Sequence, residues 1–357
     1  MFSSFFPKSF RIILFPFALL YWLVIVIRNF LYKIKILKSS SFGLPLICVG
    51  NLSVGGTGKS PMVEYLVRLL KDKFKVATLS RGYKRKTKGY ALADEKTTAL
   101  EIGDEPMLFH IKFPEIIVAV GEDRTYAISQ LLDDKPGTEA IILDDAFQHR
   151  SIKAGLNILL TDCNNLFTRD FYLPTGDLRD QKSSYKRAEI IVVTKCNPGL
   201  TREGRKKIIK EIHPKPNQRV FFTAIEYGVI YHISSKQAYK LTDKTEVLLV
   251  TGIANPRPLM TMLENNCLTY SIQPYRDHHI FTIDDLKDIR KKFNQIESKD
   301  KIILTTEKDA VRLAKFDREF ADLALYVIPV RHDFLFGEEE KFNELVISFI
   351  RNFKQTE

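Results

Sequence analysis

Residues 45–71 constrain this chain more than any other stretch. A short apolar run, PLICVG (45–50), passes directly into NLSVGGTGKSP. Apolar residues Met62, Val63, Leu66, Leu69 and Leu70 then recur on one stripe of a helix over 60–71. Strand, glycine-rich turn and helix in immediate succession open a βαβ unit, whose sheet is parallel and covered by helices. Gly55, Gly56 and Gly58 carry no side chain to block the approach of backbone N–H groups to an anion. The helix that follows points its positive end at the same place. Lys59 is placed to reach the β- and γ-phosphates of a nucleotide, and the Ser60 hydroxyl to ligate Mg²⁺. The strict pattern G-x-x-x-x-G-K-[ST] wants a glycine where Ser53 stands, so the match is loose at one position. The segment Ser53, Val54, Gly55, Gly56, Thr57, Gly58, Lys59 and Ser60 is expected to form a phosphate-binding loop; the plainer reading is an ordinary glycine-rich βα turn.

Further apolar runs recur at KVATLS (75–80), IIVAV (116–120), AIILDD (140–145), LNILLTD (156–162) and EIIVVTK (189–195). Their lack of alternation suits strands buried on both faces. The fold class expected is therefore α/β: a P-loop NTPase-type, mostly parallel sheet with helices on both faces. Beyond residue 196 the texture changes, and 197–219 is basic with three prolines. The segment 219–233 reads as an extended linker. A second set of runs, EVLLVTG (246–252), KIILTT (301–306) and LALYVIPV (323–330), predicts a smaller α/β domain over 234–357. Within it, Thr282-x-x-Asp285 predicts a capping box opening a helix. The core then occupies 39–218. A chain of 357 residues suits two domains. The four cysteines are scattered with no C-x-x-C pair, which excludes a disulfide framework and fits a reducing compartment.

The remaining segment, 1–38, is of another kind. Residues 12–27, IILFPFALLYWLVIVI, hold sixteen apolar residues and no charge. That is short of the ~20 a spanning helix needs. Lys8 and Arg11 precede it, Arg28, Lys33, Lys35 and Lys38 follow, and no small-residue cleavage site is present. The pattern predicts a helix associated with an anionic membrane surface rather than a buried core helix. The net charge of +11 agrees with a phosphorylated or membranous partner. No interleaved basic–aromatic motif or zinc finger supports nucleic acid, and no obligate protein partner is expected.

A phosphate loop needs a metal-holding acid at the end of a neighbouring strand, and AIILDD supplies Asp144 and Asp145. TKCN (194–197) stands where guanine-specific proteins carry [NT]-K-x-D. Asn197 offers one acceptor where guanine needs two, so ATP is favoured. Candidates for handling the acceptor are GDEP (103–106), with Asp104 and Glu105 before a helix, and RDHHIFT (276–282), with His278 and His279 beside Asp277. Each has a plainer reading, as a helix cap and as surface histidines. A zinc ion at the histidine pair lacks a third ligand.

The ordered set GNLSVGGTGKSP, LSRGYKR, GDEP, VGEDR, ILDDAFQHR, LPTGDLRD, VVTK, TGIANP, DHH and TEKDAVR resembles the tetraacyldisaccharide 4′-kinases, from about residue 40 to 313, and the apolar amino terminus matches too. The resemblance implies transfer of the ATP γ-phosphate to the 4′-hydroxyl of a tetraacyldisaccharide 1-phosphate, a glycolipid, making lipid IVA. It implies a protein peripheral to the inner membrane and facing the cytoplasm. It further implies Asp104 as the base for the hydroxyl, His278 as its partner, Lys59 on the phosphates, and Ser60, Asp144 and Asp145 on Mg²⁺. Ser80, Arg81, Tyr83, Gln148, His149, Arg179 and Asp180 would line the substrate cleft, with His279 left as structural. Three positions depart from the family pattern: Ala146 replaces a usual Gly, Asp180 a usual Glu, and the segment after QHR lacks its usual Arg-Asp pair. The rival readings are a membrane-associated P-loop ATPase or GTPase switch and a nucleotide sensor without catalysis. Neither needs Asp104 or His278.

Overall fold

The computed structural model describes residues 10–353 apart from 317 and 321. The chain opens on helix α1 (Phe15–Lys33), started by a proline in its first turn after a 3-10 turn at Phe10–Leu14. It is apolar on nearly every side. Ala18, Ile25 and Asn29 are buried, while Phe17, Leu20, Val24 and Phe30 stand more than half exposed.

Strand β1 (Leu46–Asn51) then leads to α2 (Lys59–Leu70), β2 (Val76–Ser80), the short β3 (Ala91–Leu92), α3 (Ala99–Ile102), α4 (Asp104–Lys112) and β4 (Ile117–Val120). Next come α5 (Arg124–Asp134), β5 (Ala140–Asp144), β6 (Leu156–Asp162), β7 (Ile190–Thr194), α6 (Arg202–Ile212) and β8 (Arg219–Tyr227). All six expected runs are strands. Their unbroken apolarity has a direct cause: the sheet is covered on both faces. Leu46 and Cys48 of β1 enter one core, and Ile47 and Val49 enter the other. In the same way Ile141 and Leu143 of β5 divide from Ala140 and Ile142. β1 pairs in parallel with β5 on one side and β6 on the other. The chain therefore reverses its direction of strand addition at β1, and the loop after β1 sits at that switch point.

The second unit, residues 226–331, has its own six-stranded sheet. It contains β9 (Ile230–His232), β10 (Ala238–Tyr239), β11 (Glu246–Thr251), α7 (Arg257–Glu264), β12 (Thr269–Pro274), α8 (Ile283–Asn294), β13 (Lys301–Thr306), α9 (Glu307–Leu313) and β14 (Leu325–Ile328). The order is β10-β9-β14-β13-β11-β12, parallel from β14 to β12 and antiparallel at β9 and β10. The capping box of Thr282 and Asp285 opens α8 as expected.

The chain then returns to the first unit through β15 (Val330–Phe334) and α10 (Glu339–Arg351). β15 lies beside β8 at the edge of the nine-stranded sheet, order β15-β8-β7-β6-β1-β5-β2-β4-β3. This corrects the domain map read from sequence. The expected linker 219–233 begins with a strand paired to β7 through Arg219–Phe222, with Phe221 and Phe222 buried. The expected domain 234–357 loses its last 26 residues to the first unit, which resumes at His332 and runs to Glu357. The reason is the apolar face of α10. Phe342, Val346 and Ile350 complete the core that holds Ile190, Val192 and Phe221.

Phe342 is fully buried, edge-on to the Phe221 ring at 5.4 Å. Truncating it to alanine should cost about 3–5 kcal/mol. In Phe342→Ala, amide hydrogen exchange should accelerate in β7 and β8 and stay unchanged in β11 and β13; the reverse pattern would restore α10 to the second unit.

Candidate active site

The loop between β1 and α2 is held from behind. Backbone N–H groups that face a ligand leave their carbonyls turned into the protein, where each needs a donor. Thr194 at the end of β7 donates its hydroxyl to the Thr57 carbonyl at 2.8 Å. His332 of β15 donates from Nε2 to the Gly58 carbonyl at 2.9 Å. Since that Nε2 carries the proton, Nδ1 is the acceptor, and the Thr223 hydroxyl meets it at 2.9 Å. Burial pushes the His332 imidazole down to about 4, so the ring is neutral in this role. Asn51, ending β1, donates to the Thr57 hydroxyl at 2.9 Å. Gly58 takes a left-handed φ of 86°, and a Cβ there would come within 3.0 Å of His332. Gly55 and Gly56 face open space, and α2 begins without a side-chain cap, which leaves its first N–H groups for an anion.

Around this loop stand charges of both signs. Lys59 Nζ lies 3.6 Å from Asp145 Oδ1, and the Arg179 guanidinium pairs with both Asp145 oxygens. Burial alone would raise the Asp145 carboxyl, but Lys59 and Arg179 outweigh it and hold it down at about 2. Asp145 also takes the left-handed turn, φ 51°, after β5, so Ala146 in place of the family's glycine carries no strain. Asp144 is buried at the last position of β5. The Ser60 hydroxyl donates to Glu105 Oε1 at 2.8 Å, a partner the sequence reading did not assign. Asp104 and Glu105 form the first turn of α4, where negative charge is favoured, and the cap itself is Gly103. Among the described residues no group of three or more His, Cys, Asp or Glu side chains is assembled for a metal. The donors at hand are oxygens, which suits a small hard cation that keeps several waters and takes phosphate oxygens as ligands.

Beside the loop lies a cavity of about 360 Å³. Arg81 and Arg179 reach it from the sheet's loops and Arg124 from the first position of α5, with Gln148 and His149, and α1 forms the other wall through Val24, Ile25 and Arg28. Arg124 is 1% exposed, and its Nε and Nη2 meet no hydrogen-bond partner among the described residues. Burial lowers its pKa to about 10, still charged at neutral pH. A buried cation with unmet donors at a cavity is arranged for an anionic ligand. Arg124 lies in the VGEDR segment, where nothing in the sequence marks it for a role. Burial, then Arg124 and Arg81, push His149 down to about 4, so it faces the cavity as a neutral hydrogen-bonding group.

α1 and the turn before it are clamped to this unit by polar contacts. Arg11 pairs with Asp177 at 3.0 Å, Arg28 donates to the Gln148 carbonyl at 2.8 Å, and Arg150 donates to the Asn29 carbonyl at 3.0 Å. Asn29 donates to Asp180 Oδ1 at 2.9 Å, and Arg187 pairs with Oδ2 at 2.9 Å. Asp180, 1% exposed, is thus a docking residue for α1 and does not line this cavity. Ser80, whose Oγ accepts from Gly82 N at 3.2 Å, and the exposed Tyr83 also do not line it. In the second unit, His278 stands at φ 62° with Arg312 at its Nδ1. His279 bonds Asp285 at 2.9 Å and stacks on Tyr275, which fits the structural role expected of it. Asp104 belongs to the first unit and His278 to the second.

His332 carries a pH signature. Its folded pKa of about 4 lies below the ordinary 6.5, so the unfolded chain binds the proton first as pH falls. The His332 contribution to stability should be flat above pH 6.5 and decline by up to about 3 kcal/mol on the way to pH 4, with His149 adding a decline of its own over the same window. Urea unfolding of His332→Gln, which keeps a neutral donor, should show a shallower decline over that window; parallel curves would remove His332 from the account.

A family model described as tetraacyldisaccharide-1-P 4′-kinase (LpxK) matches residues 10–351. The tetraacyldisaccharide 4′-kinase of Flavobacterium johnsoniae is 46% identical over 345 residues, covering 96% of this chain and 97% of that protein. That of Bacteroides thetaiotaomicron is 40% identical, covering 95% and 93%. The crystal structure of LpxK from Aquifex aeolicus in complex with ATP is 29% identical, with a TM-score of 0.74, and covers 96% of this chain and 99% of that one. With a phosphate loop, paired acids and a cavity walled by an apolar helix already in the structure, these matches lead to one conclusion: the chain belongs to the tetraacyldisaccharide-1-P 4′-kinase family.

Proposed function

We propose that this protein transfers the γ-phosphate of ATP to the 4′-hydroxyl of tetraacyldisaccharide 1-phosphate, yielding lipid IVA, at the cytoplasmic face of the inner membrane. The observation that carries this reading is the shared wall. The arginine-lined cavity beside the phosphate loop is closed on one side by α1, whose other faces are apolar and exposed. A phosphorylated headgroup on acyl chains needs both surfaces at once. Basic residues at the end of α1, Lys33, Lys35 and Lys38, suit an anionic leaflet. Family membership does not favour the switch reading.

Lys59 and the open amides of Gly55–Ser60 hold the transferring phosphates, which costs little reorganisation because Thr194 and His332 already fix the loop. Ser60, Asp144 and Asp145 would hold Mg²⁺, which would neutralise charge on the phosphates. In the structure Asp145 is engaged by Lys59 and Arg179, so those two cations must share or yield it when the metal site fills. Asp104 accepts the proton of the 4′-hydroxyl, with His278 as its partner. Arg81, Arg124 and Arg179 neutralise the anionic substrate groups.

The test is phosphoryl transfer from labelled ATP with Mg²⁺ and tetraacyldisaccharide 1-phosphate in detergent micelles. Label in the lipid is expected; nucleotide hydrolysis without labelled lipid would return the protein to the switch class. Asp104→Ala should leave ATP affinity nearly intact and lower turnover at least about 10²-fold, as for loss of a general base. Lys59→Ala should weaken ATP binding as well as turnover, and unchanged nucleotide affinity would exclude the loop assignment.

A further inference from the structure

Three sequence motifs of the second unit, TGIANP, DHH and TEKDAVR, have no stated purpose beyond His278 itself. The structure brings them to one point. Asp309 of α9 is fully buried. One carboxylate oxygen accepts from the Thr306 hydroxyl at 2.8 Å, from Gly252 N at 3.0 Å and from the Thr251 hydroxyl at 3.4 Å. Its other oxygen accepts from Arg312 Nη1 at 2.9 Å. The second prong of the same guanidinium, Nη2, lies 3.1 Å from His278 Nδ1.

We propose that Arg312 is a positioning residue that holds His278 in one tautomer and one ring orientation, and that Asp309 sets the arginine for this purpose. The chemistry of the contact decides the tautomer. A guanidinium has five donors and no acceptor, so Nδ1 must present its lone pair to Nη2. The neutral ring therefore carries its proton on Nε2, the nitrogen turned away from Arg312. His278 then offers an N–H at Nε2, the nitrogen that lies 3.9 Å from Asp277 Oδ1. A partner carboxylate is held by hydrogen bonding, without a proton passing through the ring to Nδ1. The planar fork explains why arginine stands here: one prong is committed to Asp309 and the other to the imidazole, at an angle a lysine cannot reproduce. Asp309, with four donors, leaves the arginine a single setting. The inference rests on the reading of His278 as a residue of the reaction.

The test is a kinetic cycle on the full-length protein with ATP and the lipid acceptor, joined to ¹⁵N NMR of histidine-labelled protein. Arg312→Met should lower kcat about 10–100-fold, the usual scale for loss of a residue that orients a functional histidine, with KM for ATP unchanged. In a His278→Ala background the same substitution should cost nothing further. The His278 signals, assigned by their loss in His278→Gln, should show Nε2–H alone in the native protein and mixed tautomers in Arg312→Met. Should Arg312→Met fail to fold, Arg312→Lys, which keeps a charge for Asp309 but not the fork, is read in the same cycle with the same expectation. Losses that add in the double variant, or an unchanged tautomer, would overturn the proposal. A His278→Ala variant with native kcat would instead overturn the reading of His278 beneath it.

Discussion

A loop that turns its amides toward a ligand must find donors for its carbonyls, and this requirement organises the first unit. The Thr57 and Gly58 carbonyls point into the protein, and Thr194 and His332 meet them. Thr194 is available because β7 ends level with the loop. His332 is available only because the chain, after more than a hundred residues elsewhere, comes back to lay β15 beside β8. The histidine must be neutral and singly oriented to donate there, and its burial and the Thr223 hydroxyl secure both. The return strand in turn delivers α10, whose apolar face closes the core under β7 and β8.

On the open side of the loop the problem is charge. Arg28, Arg81, Arg124 and Arg179 line a space that Asp145 also lines, and in the structure Asp145 is pulled between Lys59 and Arg179. Such a cluster is poised for anions. The apolar helix belongs to the same arrangement, since Asn29 and Arg28 tie it to residues that flank the cavity. The exposed apolar helix and the arginine-lined cavity thus share one wall.

Much of this was legible in the sequence, and the reasons are physical. Strands buried on two faces write unbroken apolar runs, so β1, β2, β4, β5, β6 and β7 were each readable. The loop announced itself through Gly55, Gly56, Gly58, Lys59 and Ser60. What escaped depends on contacts distant in sequence. Phe342 lies on a helix whose apolar stripe fits either sheet, and nothing local says which. Asp180 sits in a motif that suggested the cleft, yet Asn29, 151 residues away, claims its carboxylate. Arg124 follows an N-cap, and its burial cannot be inferred from its neighbours. A signal for His332 did exist: a histidine inside a β-rich run is an anomaly that asks for a partner, although the run does not say which one.

The insertion of the second unit between β8 and β15 also sets a timetable. His332 and the carbonyl it secures are 274 residues apart. At ~5–20 residues per second, synthesis needs about 15–50 s to travel that distance. Throughout that interval α1 and the glycine loop already exist, while the His332 part of the brace behind the loop does not; Thr194, 137 residues from the carbonyl it meets, arrives halfway. A nascent chain therefore presents its apolar amino-terminal helix well before it can present a finished nucleotide site. The apolar helix precedes competence, and the nucleotide site is finished only when the last strand of its sheet has been made.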